Sequence, residues 1–123
     1  MTLQELYDSI GGSYDSAKRI LQIDRMIGKF IVRFLDDTSC DRLLAAYEAG
    51  DKTGMFEGAH ALKGVCANLG LNGLSEAASE IAKEFRGINP PTMDEAALAA
   101  KIDAIRETHA RTLEGIRRYA AEQ

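Results

Sequence analysis

His60, in the run Ala59-His60-Ala61-Leu62-Lys63-Gly64, is the side chain of this sequence best equipped for chemistry. The ordinary histidine pKa of about 6.5 leaves much of an imidazole neutral near pH 7, and a neutral ring nitrogen is a nucleophile. At about 100° of rotation per residue, Met55, Gly58, Ala59, Leu62, Val65, Cys66 and Leu69 gather on one side of a helix. His60, Lys63, Gly64 and Ala67 gather on the other, so the spacing predicts a histidine that faces water. Lys63 and Gly64 follow by three and four residues, which makes both of them neighbours one turn toward the C-terminus. The lysine can neutralise an anion that arrives at the ring. Glycine at mid-helix costs about 1 kcal/mol relative to alanine, which points to something that must approach closely. A protein surface is the natural candidate: Ala67 keeps the lane clear further on, and Phe56, one turn before His60, either offers an exposed aromatic for docking or folds over a neighbouring helix at the bundle edge.

The sequence carries no Walker-type Gly-rich loop for a nucleotide, no acidic trio for Mg²⁺ and no serine or cysteine nucleophile in a recognisable setting. His60 thus reads as a residue that carries a group made elsewhere.

The elements that must position it follow from caps and periodicity. Thr2 with Glu5 forms a capping box, and Gly11-Gly12 ends that first short helix, an N-terminal lid. Ala17, Ile20 and Leu21 resume a helical pattern from Ser13. Asp24 then reads as the N-cap of a helix bearing Met26, Ile27, Phe30, Ile31, Phe34 and Leu35, so this stretch is one bent helix or two. Thr38 and Asp41 start a helix with Leu43, Leu44 and Tyr47, and Gly50 stands where a left-handed cap is needed. Asp51 caps the His60 helix, which runs from Lys52 to about Leu69 and ends at Gly70. The next helix, Asn72 to Arg86, turns Leu74, Ala77, Ala78, Ile81 and Phe85 inward and ends at Gly87. So short a hinge makes these two helices antiparallel. Gly87-Ile88-Asn89-Pro90-Pro91 reads as a stiff connector, after which Thr92 and Glu95 repeat the capping box. Leu98, Ile102, Ile105, His109, Thr112, Ile116 and Tyr119 form the stripe of a final bundle helix.

Composition agrees with that organisation. The 123 residues suffice for one domain that buries about two thirds of its unfolded surface, without disulfides or metal. With 46% hydrophobic and 28% charged residues, no Trp and 2 Pro, an all-helical domain is the default. The net charge of -4 sets no long-range attraction for nucleic acid or an anionic membrane. No stretch approaches the roughly 18 apolar residues of a membrane span, and Met1 to Ser9 lacks the regions of a signal peptide, so a cytoplasmic location is expected. Cys40 and Cys66 lie in segments of different character and read as two buried or half-buried thiols, not a bridge. Compact ends and a start at Met1 suggest a free-standing protein, expected to be a monomer.

The run at 59–64, followed by Asn68-Leu69-Gly70, resembles the signature of histidine-containing phosphotransfer (HPt) domains, the relay modules of phosphorelays. The resemblance extends from the N-terminal helices through Phe34, the Gly50-Asp51 turn and the signature to Gly87, and matches the last helix only in kind. It implies a single all-α domain over residues 1–123. Short additional helices, one or two, occupy 1–23 and an antiparallel four-helix bundle occupies 24–121. His60 would be the phosphoryl acceptor, Lys63 the residue supporting the phosphoryl group, and Gly64 the gap that admits a partner's aspartate. Phe56, Ala67 and Asn68 would border the partner, Asn68 from the edge of the face. The expected function is reversible transfer between His60 and aspartates of response regulator receiver domains, with a hybrid histidine kinase as the other candidate partner. The chain would then be a phosphocarrier rather than an enzyme, with no cofactor of its own and Mg²⁺ on the receiver.

Two other function classes compete. Glu57 and His60 have the ExxH spacing of di-iron bundles, but the residue three before His109 is Arg106, a cation where a carboxylate ligand is needed. A helical module that docks on a kinase or response regulator without accepting a phosphoryl group would share the fold, yet it would have no use for a nucleophile. His109 itself lies on the apolar stripe and reads as a hydrogen-bonded packing residue. Asp36-Asp37 and Glu76 with Glu80 read as a helix-end turn and a solvated face.

Overall fold

A computed structural model describes residues 1–87 and 90–123, so Ile88 and Asn89 of the expected stiff connector lie outside the described residues. Seven α-helices occupy these residues: α1 (Leu3–Ile10), α2 (Tyr14–Leu21), α3 (Asp24–Arg33), α4 (Ser39–Ala49), α5 (Lys52–Asn68), α6 (Asn72–Glu84) and α7 (Glu95–Ala121). A single 3-10 turn, Phe34–Asp36, follows α3, and no strand occurs among the described residues. The all-α bundle expected from composition and periodicity is what the chain forms. Helices α4, α5, α6 and α7 close a ring, α4 on α5, α5 on α6, α6 on α7 and α7 back on α4. The brief turns at Gly50-Asp51 and Leu69-Gly70-Leu71 make the first three run antiparallel. The N-terminal helices are added to this ring, with α1 and α3 against α7 and α2 against α5.

The stretch left open as one bent helix or two is two, because Gln22 breaks it at φ +70°, a backbone region unusual for a residue with a side chain. Asp24 does not cap α3. Ile23 holds that position without a side-chain bond, and the Asp24 carboxylate instead accepts from the Tyr14 hydroxyl and from Lys18 Nζ, the latter at 2.9 Å. Nor does Thr38 cap α4 with its side chain; Asp37 accepts from the Ser39 amide at 2.9 Å and from the Ser39 hydroxyl. The capping box at Thr2 and Glu5 and the Asp51 cap on Gly54 both form as expected.

The repeated box at Thr92 and Glu95 does not form. Asp94 caps α7 by accepting from the Ala97 amide at 2.7 Å. Thr92 is drawn off to Glu84, a buried carboxylate that accepts from the Thr92 amide at 2.6 Å, the Thr92 hydroxyl at 2.9 Å and the Met93 amide at 2.8 Å. These donors hold the Glu84 carboxyl below the usual glutamate range. The Glu84 carboxylate takes the Thr92 amide and hydroxyl together with the Met93 amide, a partner from another helix that the local pattern does not show, which is why the sequence pattern misplaces Thr92.

The core is one cluster. Leu6, Ile27, Ile31, Phe34, Leu43, Leu62, Ile81, Ile102, Ile105 and Ile116 are all buried. Cys40 and Cys66 are free and buried within it, and burial pushes both thiols up to about 12, which leaves them protonated and unreactive at neutral pH. His109 is buried too, with its ring meeting Phe34 edge-on at 5.8 Å between centroids, so aromatic packing is what accounts for it.

Candidate functional site

Helix α5 is inserted between α4 and α6 and leaves one strip bare. Met55, Gly58, Ala59, Leu62, Cys66 and Leu69 are buried as the spacing predicts, whereas Val65 is only half-buried. His60, Gly64, Ala67 and Asn68 are exposed and Lys63 is half-buried, so the five share one accessible strip. Gly58 and Gly64 explain the helix's two faces. A Cβ on Gly58 would stand 2.8 Å from the Leu43 Cα and N, so the absent side chain lets the backbones of α4 and α5 approach. A Cβ on Gly64 would meet nothing within 4 Å. The first glycine serves packing, while the second faces open space and needs another reason.

Both ends of α5 are fixed. The Asp51 carboxylate caps the start, accepting from the Gly54 amide at 2.9 Å. At the other end the buried Tyr7 hydroxyl donates to the Leu69 carbonyl at 2.5 Å, and the Ser13 amide donates to the Gly70 carbonyl at 2.8 Å. Gly70 adopts φ +71°, and a Cβ there would fall 2.3 Å from the Ser13 carbonyl oxygen. Only glycine allows α5 to end here with α2 starting alongside. Along the side, the Ser75 hydroxyl donates to the Lys63 carbonyl at 3.1 Å, which ties α6 to the turn carrying the lysine.

Of the two places open to Phe56, the structure has the packed one. It is half-buried against the core, and its ring stacks on His60 with centroids 5.6 Å apart and planes inclined by 15°. Among the described residues the ion pairs are those of Met1, Lys18, Lys101 and Arg106, and none involves Lys63, Glu57 or His60. The Lys63 ammonium is thus uncommitted to a carboxylate. The described residues also contain no group of three or more His, Cys, Asp or Glu side chains placed to hold a metal ion.

The spacing did not reveal a groove of about 400 Å³ where the strip meets Asn68. Phe30, Leu21, Ile20, Val65 and Leu69 give it an apolar lining, and Arg33 and Asp37 add charge. Sequence periodicity read Ile20 and Phe30 only as members of apolar helical patterns. No local pattern marked the groove: α2 breaks off at Gln22, a break the spacing left open, and Ile20 is left 49% exposed and Ile23 54% exposed. A larger cleft of about 800 Å³ lies at the other end of α5, beside Lys52, Met55, Phe85 and Leu98, and does not include the His60 strip. No described helix is long and apolar enough to cross a membrane.

Taken chemically, an accessible imidazole, an unpaired cation on the same strip and a vacant lane can accept an anionic group from outside and return it. One comparison with known proteins identifies a family. No curated protein and no solved structure matches the chain. The sequence model of the Hpt domain matches residues 26–114, from the first turn of α3 to the last third of α7 and including the whole of α5, and the chain therefore belongs to the Hpt domain family.

Proposed function

We propose that the protein is a phosphocarrier of a two-component phosphorelay, in which His60 takes a phosphoryl group from a receiver-domain aspartyl phosphate and passes it to another receiver aspartate. The observation that carries this reading is the union, on one helix of an Hpt domain, of an exposed His60 with Lys63 and the open space at Gly64. A neutral ring nitrogen directs its lone pair at phosphorus. The bond from phosphorus to the aspartate oxygen breaks and the carboxylate leaves with the electron pair. The second ring nitrogen keeps its proton through the step and then releases it to water. Lys63 offsets the charge of the phosphoryl oxygens. Mg²⁺ and the acidic pocket belong to the receiver in this scheme, and reversal of the same steps discharges His60.

The strip from His60 through Ala67 and Asn68 into the apolar groove gives the receiver a continuous surface, with the transfer at one end and hydrophobic contact at the other. The test is to mix the protein with a phosphorylated receiver, or with phosphoramidate as a small donor, and follow an acid-labile, base-stable adduct. Wild-type protein should be labelled and His60→Gln should not; label that persists in the variant refutes the assignment. Lys63→Ala should label more slowly with its fold intact. Ile20→Lys should raise the KM for the receiver and leave labelling by phosphoramidate unchanged. A protein that binds the receiver yet never acquires label would instead be a docking module.

A further inference from the structure

We propose that Phe56 is a positioning residue for phosphoryl transfer, an aromatic shelf that fixes the plane of the His60 ring and leaves the side toward Gly64 as the route of entry. The inference rests on His60 being the phosphoryl acceptor.

Phe56 and His60 are four residues apart on α5, and long side chains on a helix lean toward its N-terminus. The His60 ring therefore lies back over the turn that carries Phe56. The observed arrangement, 5.6 Å between centroids and 15° between planes, is an offset parallel stack. Phe56 is a firm shelf because its own side chain is half-buried and packed on the core. His60 is exposed, and without the stack its ring would be free to turn.

The geometry of an imidazole makes this support compatible with reaction. The attacking lone pair lies in the ring plane, whereas the stack covers a π face. Phe56 can thus restrain rotation about the bond between Cβ and the ring without obstructing the nitrogen. The other side is kept clear by the same leaning rule: a side chain at position 64 would fall back over His60, and glycine supplies none. Lys63 stands on this open side, one turn toward the C-terminus, and so does the lane through Ala67 to the groove. His60 has a shelf behind it and an entrance in front.

A docking role for Phe56 predicts something different. A docking residue acts on the affinity for a protein partner and has no effect on a donor as small as phosphoramidate. A positioning residue acts on the ring itself and slows every donor.

Three proteins separate these cases: wild type, Phe56→Leu, which keeps an apolar side chain on the core but removes the stack, and Phe56→Tyr, which restores it. The ring protons of His60 should show an upfield ring-current shift by NMR in wild type and Phe56→Tyr, lost in Phe56→Leu. With saturating phosphoramidate, where the P–N bond breaks and ammonia leaves, the labelling rate of Phe56→Leu should fall about three- to tenfold. Phe56→Tyr should recover it. Transfer from a phosphorylated receiver should lose the same factor in maximal rate with KM unchanged. Labelling of Phe56→Leu by phosphoramidate at the wild-type rate, or a change confined to the receiver KM, would overturn the proposal. Unlabelled wild-type protein would instead refute the acceptor reading, and unchanged His60 ring-proton shifts in Phe56→Leu would refute the shelf, so the two failures are read apart.

Discussion

Replacing Gly64 by alanine should make the protein more stable and replacing Gly58 should make it less so, although both are glycines within the same 17-residue helix. The intrinsic term is the same at both sites, about 1 kcal/mol in favour of alanine. Their surroundings decide the sign. At Gly64 the new methyl meets nothing within 4 Å, so the full helix term is retained. At Gly58 it falls 2.8 Å from the Leu43 Cα and N and 3.1 Å from its Cβ. Two of those three atoms are backbone, which cannot rotate away, so α4 and α5 must part. Overpacking of this kind costs about 1–3 kcal/mol, leaving a net loss of about 1–2 kcal/mol at the upper part of that range.

The two variants should therefore lie about 2–3 kcal/mol apart, on the order of 10 °C in Tm for a domain of this size. Thermal unfolding followed by circular dichroism, with wild type between them, is the assay. A Gly64→Ala variant that melts below wild type would refute the reasoning, because it would show that position 64 is glycine for the fold. The functional half uses Gly64→Leu, whose side chain leans over His60. It should fold normally and raise the KM for a receiver about tenfold or more, and unchanged transfer kinetics would remove the steric argument.

Two further outcomes test the frame around the site. Tyr7→Phe deletes the buried hydroxyl that bonds the Leu69 carbonyl and should cost about 1–2 kcal/mol, with faster amide exchange at the C-terminal end of α5; protection equal to wild type would show that this end is held by other contacts. His109 is held below the ordinary histidine range, first by burial and then by Arg117, against the opposing pull of Asp41 and Asp37. Its unfolded form binds the proton more readily. This contribution to stability is complete above about pH 6.5, the unfolded value, and is lost as pH falls below it through the lower folded-state pKa. The carboxylates of Glu5, Asp24 and Glu84, whose pKa values are depressed, lose theirs only in more acid solution. Urea unfolding at pH 7 and pH 5 should thus show a smaller difference for His109→Leu than for wild type, and an equal difference would refute the role given to burial.

The face of α5 was legible in the sequence because it depends on local helical geometry alone. Seventeen residues in one helix put Leu62 and Cys66 inside and His60 and Gly64 outside whatever else the chain does. Caps were read less well where a competing partner lies elsewhere in the chain. Thr2 and Asp51 bond amides three residues away, and their caps form. Thr92 has Glu84 within reach, and Asp24 has Tyr14 and Lys18, so each goes to a tertiary partner that the local pattern does not show. Phe56 was left between two places for a related reason. Its position on the helix said that it would be near His60, but whether an edge residue lies out in water or against the core depends on neighbouring helices. The groove by Asn68 lies further still from local inference, since α2, α3 and α5 all contribute walls.

What makes α5 suitable for a transfer that another protein completes is the contrast between its ends and its middle. A nucleophile presented to a partner must be held in place before the partner arrives, because a lost orientation reduces the rate of every encounter. Asp51 holds the first turn, Tyr7 and Ser13 hold the last, and Ser75 ties the turn between. None of these bonds uses a side chain of the exposed strip. The backbone is thus fixed without occupying the surface, and the stack on Phe56 extends the same restraint to the His60 ring. The strip can then afford a glycine that weakens the helix locally, since the stability missing at Gly64 is supplied by bonds whose side chains lie outside the strip.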